Sequence, residues 1–145
     1  MQTHPVYLGF AVLFVAAAAG ALALGRRGEP LRRAGVVAAT LPAAVFLGLF
    51  ASLAFHLHGH FQGWPGLGTD GFPPALALHS DLAYGAFGTL FLGTLTAWPL
   101  AVLVCALVPR LRPGLRYLGL FALATGLAVA ATMLAPGGFL SWWWD

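Results

Sequence analysis

Hydrophobic side chains follow one another along most of this chain, and polar side chains interrupt them only in short stretches. Charge-free apolar runs cover about residues 6–25, 34–56, 82–108 and 117–135. Each run approaches or exceeds the roughly 20 residues that a helix needs to cross the hydrocarbon core of a bilayer. None shows the alternation of a membrane β-strand, so helices, which pair their own backbone groups, are favoured. The pattern predicts an all-α, polytopic integral membrane protein: one domain over residues 1–145, with four transmembrane helices in an up-and-down bundle.

Prolines and small residues add detail to these spans. Pro42 and Pro99 fall inside the second and third spans and predict a kink in each, because proline lacks the backbone donor that a helix uses. Gly85, Thr89 and Gly93 recur at four-residue spacing in the third span. This spacing is typical of a close helix packing face, or it simply reflects how abundant glycine is here.

Composition and charge place the chain in a membrane. The sequence is 60% hydrophobic and 8% charged, which excludes an ordinary soluble enzyme. All basic side chains are arginines, and they lie between the first and second spans and between the third and fourth: Arg26, Arg27, Arg32, Arg33, Arg110, Arg112 and Arg116. Because basic loops stay on the cytoplasmic side, both termini and the long loop at about 57–79 are predicted to face outward, toward the periplasm, from the inner membrane. A nucleic-acid partner is not expected.

All five histidines fall on the predicted outer side. They are His4, His56, His58, His60 and His79. Three of them form the string "FHLHGH" at the end of the second span. If the helix continues through this string, His56 and His60 share a face and His58 points away; if the chain is extended, all three lie on one side. Either arrangement brings at least two imidazoles together.

The loop between the second and third spans should bring His56 or His60 near His79. Imidazole ligates zinc, copper, nickel and iron, and a b-type haem needs two axial histidines. The haem hypothesis uses His56 or His60 with His79. The metal hypothesis draws on a larger group of side chains: His56, His58, His60, His79 and Asp81. Asp81 would complete the ligand set or orient a ligand, but "LHSD" equally places Ser80 or Asp81 as the N-cap of the third span, and capping is favoured for Asp81.

Aromatic residues gather at the same end. Trp64 and Phe72 lie in the outer loop, which either folds back over the histidines as a lid or is a plain connector. Trp142, Trp143 and Trp144 follow the fourth span. Because indole rings prefer the headgroup level, this run is interpreted as an anchor at the outer interface, with a cap on a bound lipid, quinone or partner subunit as the alternative.

These features predict a small membrane protein whose outer histidines bind a transition metal or a b-type haem. It would serve as a subunit of an electron-transfer complex, exchanging electrons with a quinone or a periplasmic redox partner. The alternative is an accessory subunit that packs against larger membrane subunits without chemistry of its own. A small metal transporter is a weaker third hypothesis, because no ionisable residue marks a path through the middle of the spans. No nucleotide, hydrolase or CxxC motif is present, so the chain alone is not expected to be an enzyme.

Overall fold

The chain folds as a helical bundle. The computed structural model describes residues 15–16, 18–20, 23, 30–65 and 72–144, and these residues include helices and no strands. From residue 30 onward the described elements are α1 (Arg33–Phe61), α2 (Pro74–Leu95), α3 (Ala97–Leu107), a 3₁₀ helix (Pro109–Gly114), α4 (Leu115–Thr132) and α5 (Gly137–Trp143).

Three of the helical stretches are long and apolar enough to cross a membrane. They are Arg33–Phe61, Pro74–Leu107 and Pro109–Thr132. This finding agrees with an all-helical membrane protein. The first predicted span, 6–25, lies mostly outside the described residues, although Ala18 within it is helical. Four spans and the side that each loop faces therefore stay predictions.

The contacts between helices define two ends of the bundle. α1 and α2 run antiparallel, since the ring centroids of Phe46 and Phe87 lie 5.6 Å apart and His56 lies against His79. α1 and α4 run parallel and meet near their beginnings, where the backbone N–H of Arg32 donates to the Tyr117 hydroxyl at 3.0 Å. We call the end with Arg32 and the 3₁₀ helix the arginine end, and the end with His56 and His79 the histidine end.

α2 begins earlier than the sequence pattern predicts. Its N-cap is Pro73, and Pro74 occupies its first turn. Proline suits this position because its fixed φ matches a helix and its missing N–H would be unpaired there anyway. The "LHSD" segment therefore lies inside α2, and the interpretation of Ser80 or Asp81 as its N-cap is wrong. The helices extend into the predicted loop from both sides and reduce it to the segment between Phe61 and Pro74.

The two internal prolines behave differently. Helix α2 ends at Leu95 and α3 begins at Ala97; Thr96 between them has φ −115° and ψ −64°, away from the ideal helical values. Pro99 explains this deviation. Its ring would clash with the carbonyl oxygen of residue 95, and its nitrogen has no hydrogen to donate to that carbonyl. This deviation lies where a kink is predicted in the third span, whereas α1 continues as helix on both sides of Pro42.

The glycine-rich face of α2 makes no close contact within the described chain. Gly85 and Thr89 are exposed, and a Cβ added at Gly85 or Gly93 would meet nothing within 4 Å. The buried side of α2 is formed by other residues: Leu76, Ala83, Leu90 and Thr94. Among the described residues, the small residues at four-residue spacing therefore do not form the face that packs toward α1; Leu76, Ala83 and Leu90 do.

The core at the histidine end is aromatic, and α5 folds back into it. Trp143 stacks on Tyr84 at 4.2 Å between ring centroids, and its backbone carbonyl accepts a hydrogen bond from the Tyr84 hydroxyl at 2.9 Å. Trp142 and Trp143 are buried, and Trp144 is exposed. The interpretation of the whole tryptophan run as an interface anchor is therefore wrong for Trp142 and Trp143, which the turn between α4 and α5 directs into the bundle.

Hydroxyl groups along the helices mostly bond to their own backbone. The Thr40 hydroxyl donates to the Val36 carbonyl, and those of Thr96 and Thr132 do the same toward Leu92 and Val129. Such bonds satisfy the hydroxyl without a partner from another helix. The hydroxyl oxygens of Thr94 and Thr125 are buried and have no hydrogen-bond partner within the part of the chain that the structure describes.

Candidate functional site

His56 on α1 and His79 on α2 meet at the histidine end. The Nδ1 atoms of the two rings lie 3.1 Å apart, and the ring centroids are 5.4 Å apart with an angle of 42° between the planes. His56 is exposed and His79 is half-buried. The expected approach of His79 to the histidine string is therefore observed, and His56 is the residue that makes the contact.

Ser52 extends this pair into a chain of hydrogen bonds. Its hydroxyl oxygen lies 2.9 Å from Nε2 of His79 and 3.1 Å from the backbone carbonyl oxygen of Leu49. Ser52 precedes His56 by four residues on α1, so both side chains project from the same face of that helix. His79 is thus held from both of its ring nitrogens by one face of α1.

The other candidate residues lie elsewhere. The ring of His58 packs against Trp64 at 4.5 Å, and that of His60 against Phe61 at 4.8 Å. Because α1 remains helical to Phe61, His58 is rotated about 200° from His56 and cannot join it. Asp81 follows His79 by two residues on α2 and is exposed. His4 lies outside the described residues.

The predicted site of three ligands does not form in the described part of the chain. No group of three or more His, Cys, Asp or Glu side chains there comes together in a way that could hold a metal ion. From the predicted set, the structure brings together His56 and His79. His58, His60 and Asp81 stay apart from the pair because the continuous helices direct them to other faces or another turn.

The described aromatic residues of the outer loop fold back against the bundle. Trp64 contacts Phe139 at 6.1 Å as well as His58, and a Cβ added at Gly138 would lie 2.8 Å from the Trp64 Cβ. Phe72 packs against Phe61 and Trp142. These contacts pin both ends of the loop to α1 and α5. They leave His56 accessible, since its side chain is exposed.

The pair of His56 and His79 lies far along α1 from the arginine end. At 1.5 Å per residue, Ser52 lies about 29 Å along α1 from Arg33. The hydrocarbon core of a bilayer is about 30 Å thick. With the arginines at one membrane surface, the Ser52, His56 and His79 side chains would thus lie at the opposite surface, where water and soluble partners have access.

Sequence reasoning missed Ser52. The available signal was its spacing: a hydroxyl four residues before a histidine on a predicted helix shares the face of that histidine. The histidine string lies at the end of the span, whereas Ser52, the second hydrogen-bond partner of His79, lies one helical turn before His56.

Comparisons of this chain with protein-family models, with curated proteins and with solved structures gave no match. The functional argument therefore rests on the geometry of the site.

Proposed function

We propose that this chain is a small membrane subunit that binds a transition-metal ion of the copper or zinc class through His56 and His79. The observation that carries the proposal is the contact between two imidazole Nδ1 atoms, 3.1 Å apart, at an exposed position between two helices. Imidazole nitrogen is a preferred ligand for both metals. We call His56 and His79 the histidine pair.

The spacing of the pair suits two ligands of one metal ion. Bonds of about 2.0–2.1 Å from each nitrogen would subtend about 100° at the ion across this separation, which is close to the tetrahedral and square-planar values. Only a rotation of both rings toward a common point is needed. The second nitrogen of His79 can remain hydrogen-bonded to Ser52, as outer partners of metal-bound histidines commonly do.

Two protein ligands make an incomplete coordination set. Structural zinc sites hold four protein ligands and catalytic ones hold three, with water or substrate in the open position. The open positions of this pair would be filled by water or by a donor from another subunit. An incomplete, exposed site supports a role in metal delivery or at a shared redox centre within a larger membrane complex, and it argues against a self-sufficient enzyme.

The geometry favours a metal ion over a b-type haem. Two axial histidines bind iron from opposite faces of a porphyrin, so the ring must fit between them. Here the imidazoles touch, and α1 and α2 are also in contact through Phe46 and Phe87. A haem would require the two helices to separate.

Metal titration tests the proposal. We expect the purified protein in mild detergent to bind about one Cu²⁺ or Zn²⁺ per chain by calorimetry. His56→Ala and His79→Ala should lose this binding, and His60→Ala, a matched exposed histidine one turn away, should retain it. Wild-type protein that binds neither ion, or binding that survives His56→Ala, would refute the assignment. No Soret absorption is expected.

The second candidate function is a purely structural accessory subunit. The observation that favours it is that His56, His79 and Ser52 are already joined by hydrogen bonds without a metal. On this hypothesis the pair fastens α1 to α2 and the exposed apolar faces contact lipid or larger subunits. The titration separates the two functions, because the structural role predicts no stoichiometric metal and lower thermal stability in His79→Ala.

A further inference from the structure

We infer that Ser52 is a positioning residue that holds His79 in the tautomer protonated on Nε2. This keeps the Nδ1 lone pair of His79 directed at His56. The inference deepens the proposed metal site, and its part concerning metal affinity rests on that proposal. The part concerning the tautomer stands on the hydrogen-bond geometry alone.

The argument begins at the hydroxyl of Ser52, which carries a single hydrogen. That hydrogen is donated to the Leu49 carbonyl, a group that can only accept. The Ser52 oxygen, 2.9 Å from Nε2 of His79, then acts as an acceptor, so Nε2 of His79 carries the proton. In neutral imidazole the other nitrogen is bare, and Nδ1 of His79 therefore accepts.

The bare Nδ1 of His79 also determines which nitrogen of His56 is protonated. Its Nδ1 lies 3.1 Å from the bare Nδ1 of His79, and two lone pairs at that distance would repel. His56 therefore carries its proton on Nδ1 and donates it, which leaves its Nε2 as an acceptor. These hydrogen bonds then all have the same donor-to-acceptor order. His56 donates to His79, His79 donates to Ser52, and Ser52 donates to the carbonyl of Leu49.

This order prepares the pair for a metal ion. His79 already presents the nitrogen that would bind the ion, and its Nε2–H stays on Ser52. Only the proton between the two Nδ1 atoms must leave, by moving to the outer Nε2 of His56. Without the Ser52 hydroxyl, His79 would lose the acceptor that selects its tautomer, and part of the population would place a proton where the ion binds.

Nitrogen-15 NMR of histidine-labelled, metal-free protein in detergent tests the tautomer directly. We expect His79 to show a protonated Nε2 and a bare Nδ1 in the wild type. Ser52→Ala should mix the two tautomers, and Ser52→Thr, which keeps the hydroxyl, should preserve the wild-type pattern. Ser141→Ala is the matched control, because the Ser141 hydroxyl makes the same local bond, to Gly138, away from the histidine pair.

Metal affinity supplies the second readout. Ser52→Ala should weaken Cu²⁺ or Zn²⁺ binding about 10-fold or more, the usual effect of removing an outer partner of a histidine ligand. Ser52→Thr and Ser141→Ala should bind as the wild type does. A His79 protonated on Nδ1 in the wild type, or an unchanged tautomer in Ser52→Ala, would overturn the inference. Wild-type protein that binds neither ion would refute the proposed function, and the NMR result would still decide the role of Ser52.

Discussion

At the scale of single residues, position on a helix face separates side chains of identical chemistry. His56 and His58 are two residues apart, yet His56 meets His79 across the helix interface and His58 packs on Trp64. The composition of the histidine string could be read from the sequence. The choice of His56 as the member that contacts His79 depends on where α1 and α2 meet, and the helical turn between His56 and His58 directs His58 to another face.

Gly35 gives a prediction at this scale. A Cβ added there would overlap the Tyr117 ring, so Gly35→Ala must displace Tyr117 and disturb its hydrogen bond from Arg32. We expect a loss of about 1–3 kcal/mol in unfolding free energy. Gly48→Ala is the control, because nothing lies within 4 Å of its added Cβ. Thermal unfolding in detergent measures both; equal melting temperatures for Gly35→Ala and Gly48→Ala would contradict the predicted clash.

At the scale of elements, the apolar runs predict the presence of the helices more accurately than the residues at which the helices begin. The charge-free run places the third span at about 82, because His79 and Asp81 interrupt it. Helix α2 nevertheless begins at Pro74, since polar residues on its exposed side do not prevent a helix whose other side packs on α1. Pro74 was itself a recognisable start signal, masked by the surrounding glycines and prolines, which are typical of a loop.

Docking of α5 gives the prediction for elements. Trp143 is 3% exposed and touches Tyr84, Phe50 and Phe87, so Trp143→Ala should cost about 3–5 kcal/mol. Trp144, 39% exposed, is the matched control, and its alanine variant should cost about 1 kcal/mol. Denaturation followed by helical circular dichroism compares the two. A Trp143→Ala variant as stable as Trp144→Ala would show that α5 is not a core element.

At the scale of the whole molecule, the fold has two chemically different ends. The arginine end contains Arg32 and the 3₁₀ helix, and the histidine end contains the histidine pair and the aromatic core. Their separation along α1 matches the thickness of a bilayer, and the sequence predicts it because basic residues and histidines fall in alternate connections. The meeting of α1 with α2 also follows from this topology, whereas burial of Trp142 and Trp143 requires the turn after α4, which hydropathy does not encode.

The orientation in the membrane is tested by cysteine labelling. In a Cys105→Ala background, Gln62→Cys at the histidine end should react with a membrane-impermeant thiol reagent on intact cells. Leu111→Cys, in the 3₁₀ helix at the arginine end, should react only after the cells are broken. The reverse pattern would place the histidine pair on the cytoplasmic side and exclude a periplasmic partner.

X-ray absorption at the zinc edge of the Zn²⁺-loaded protein tests the central claim most directly, because it reports the ligands around the ion. We expect two imidazole nitrogens at about 2.0–2.1 Å, with oxygen donors completing the shell. His60→Ala should give the same spectrum, and His79→Ala should lose the imidazole signal. A shell without imidazole, or one with two imidazoles that persists in His79→Ala, would contradict the assignment of the metal to His56 and His79.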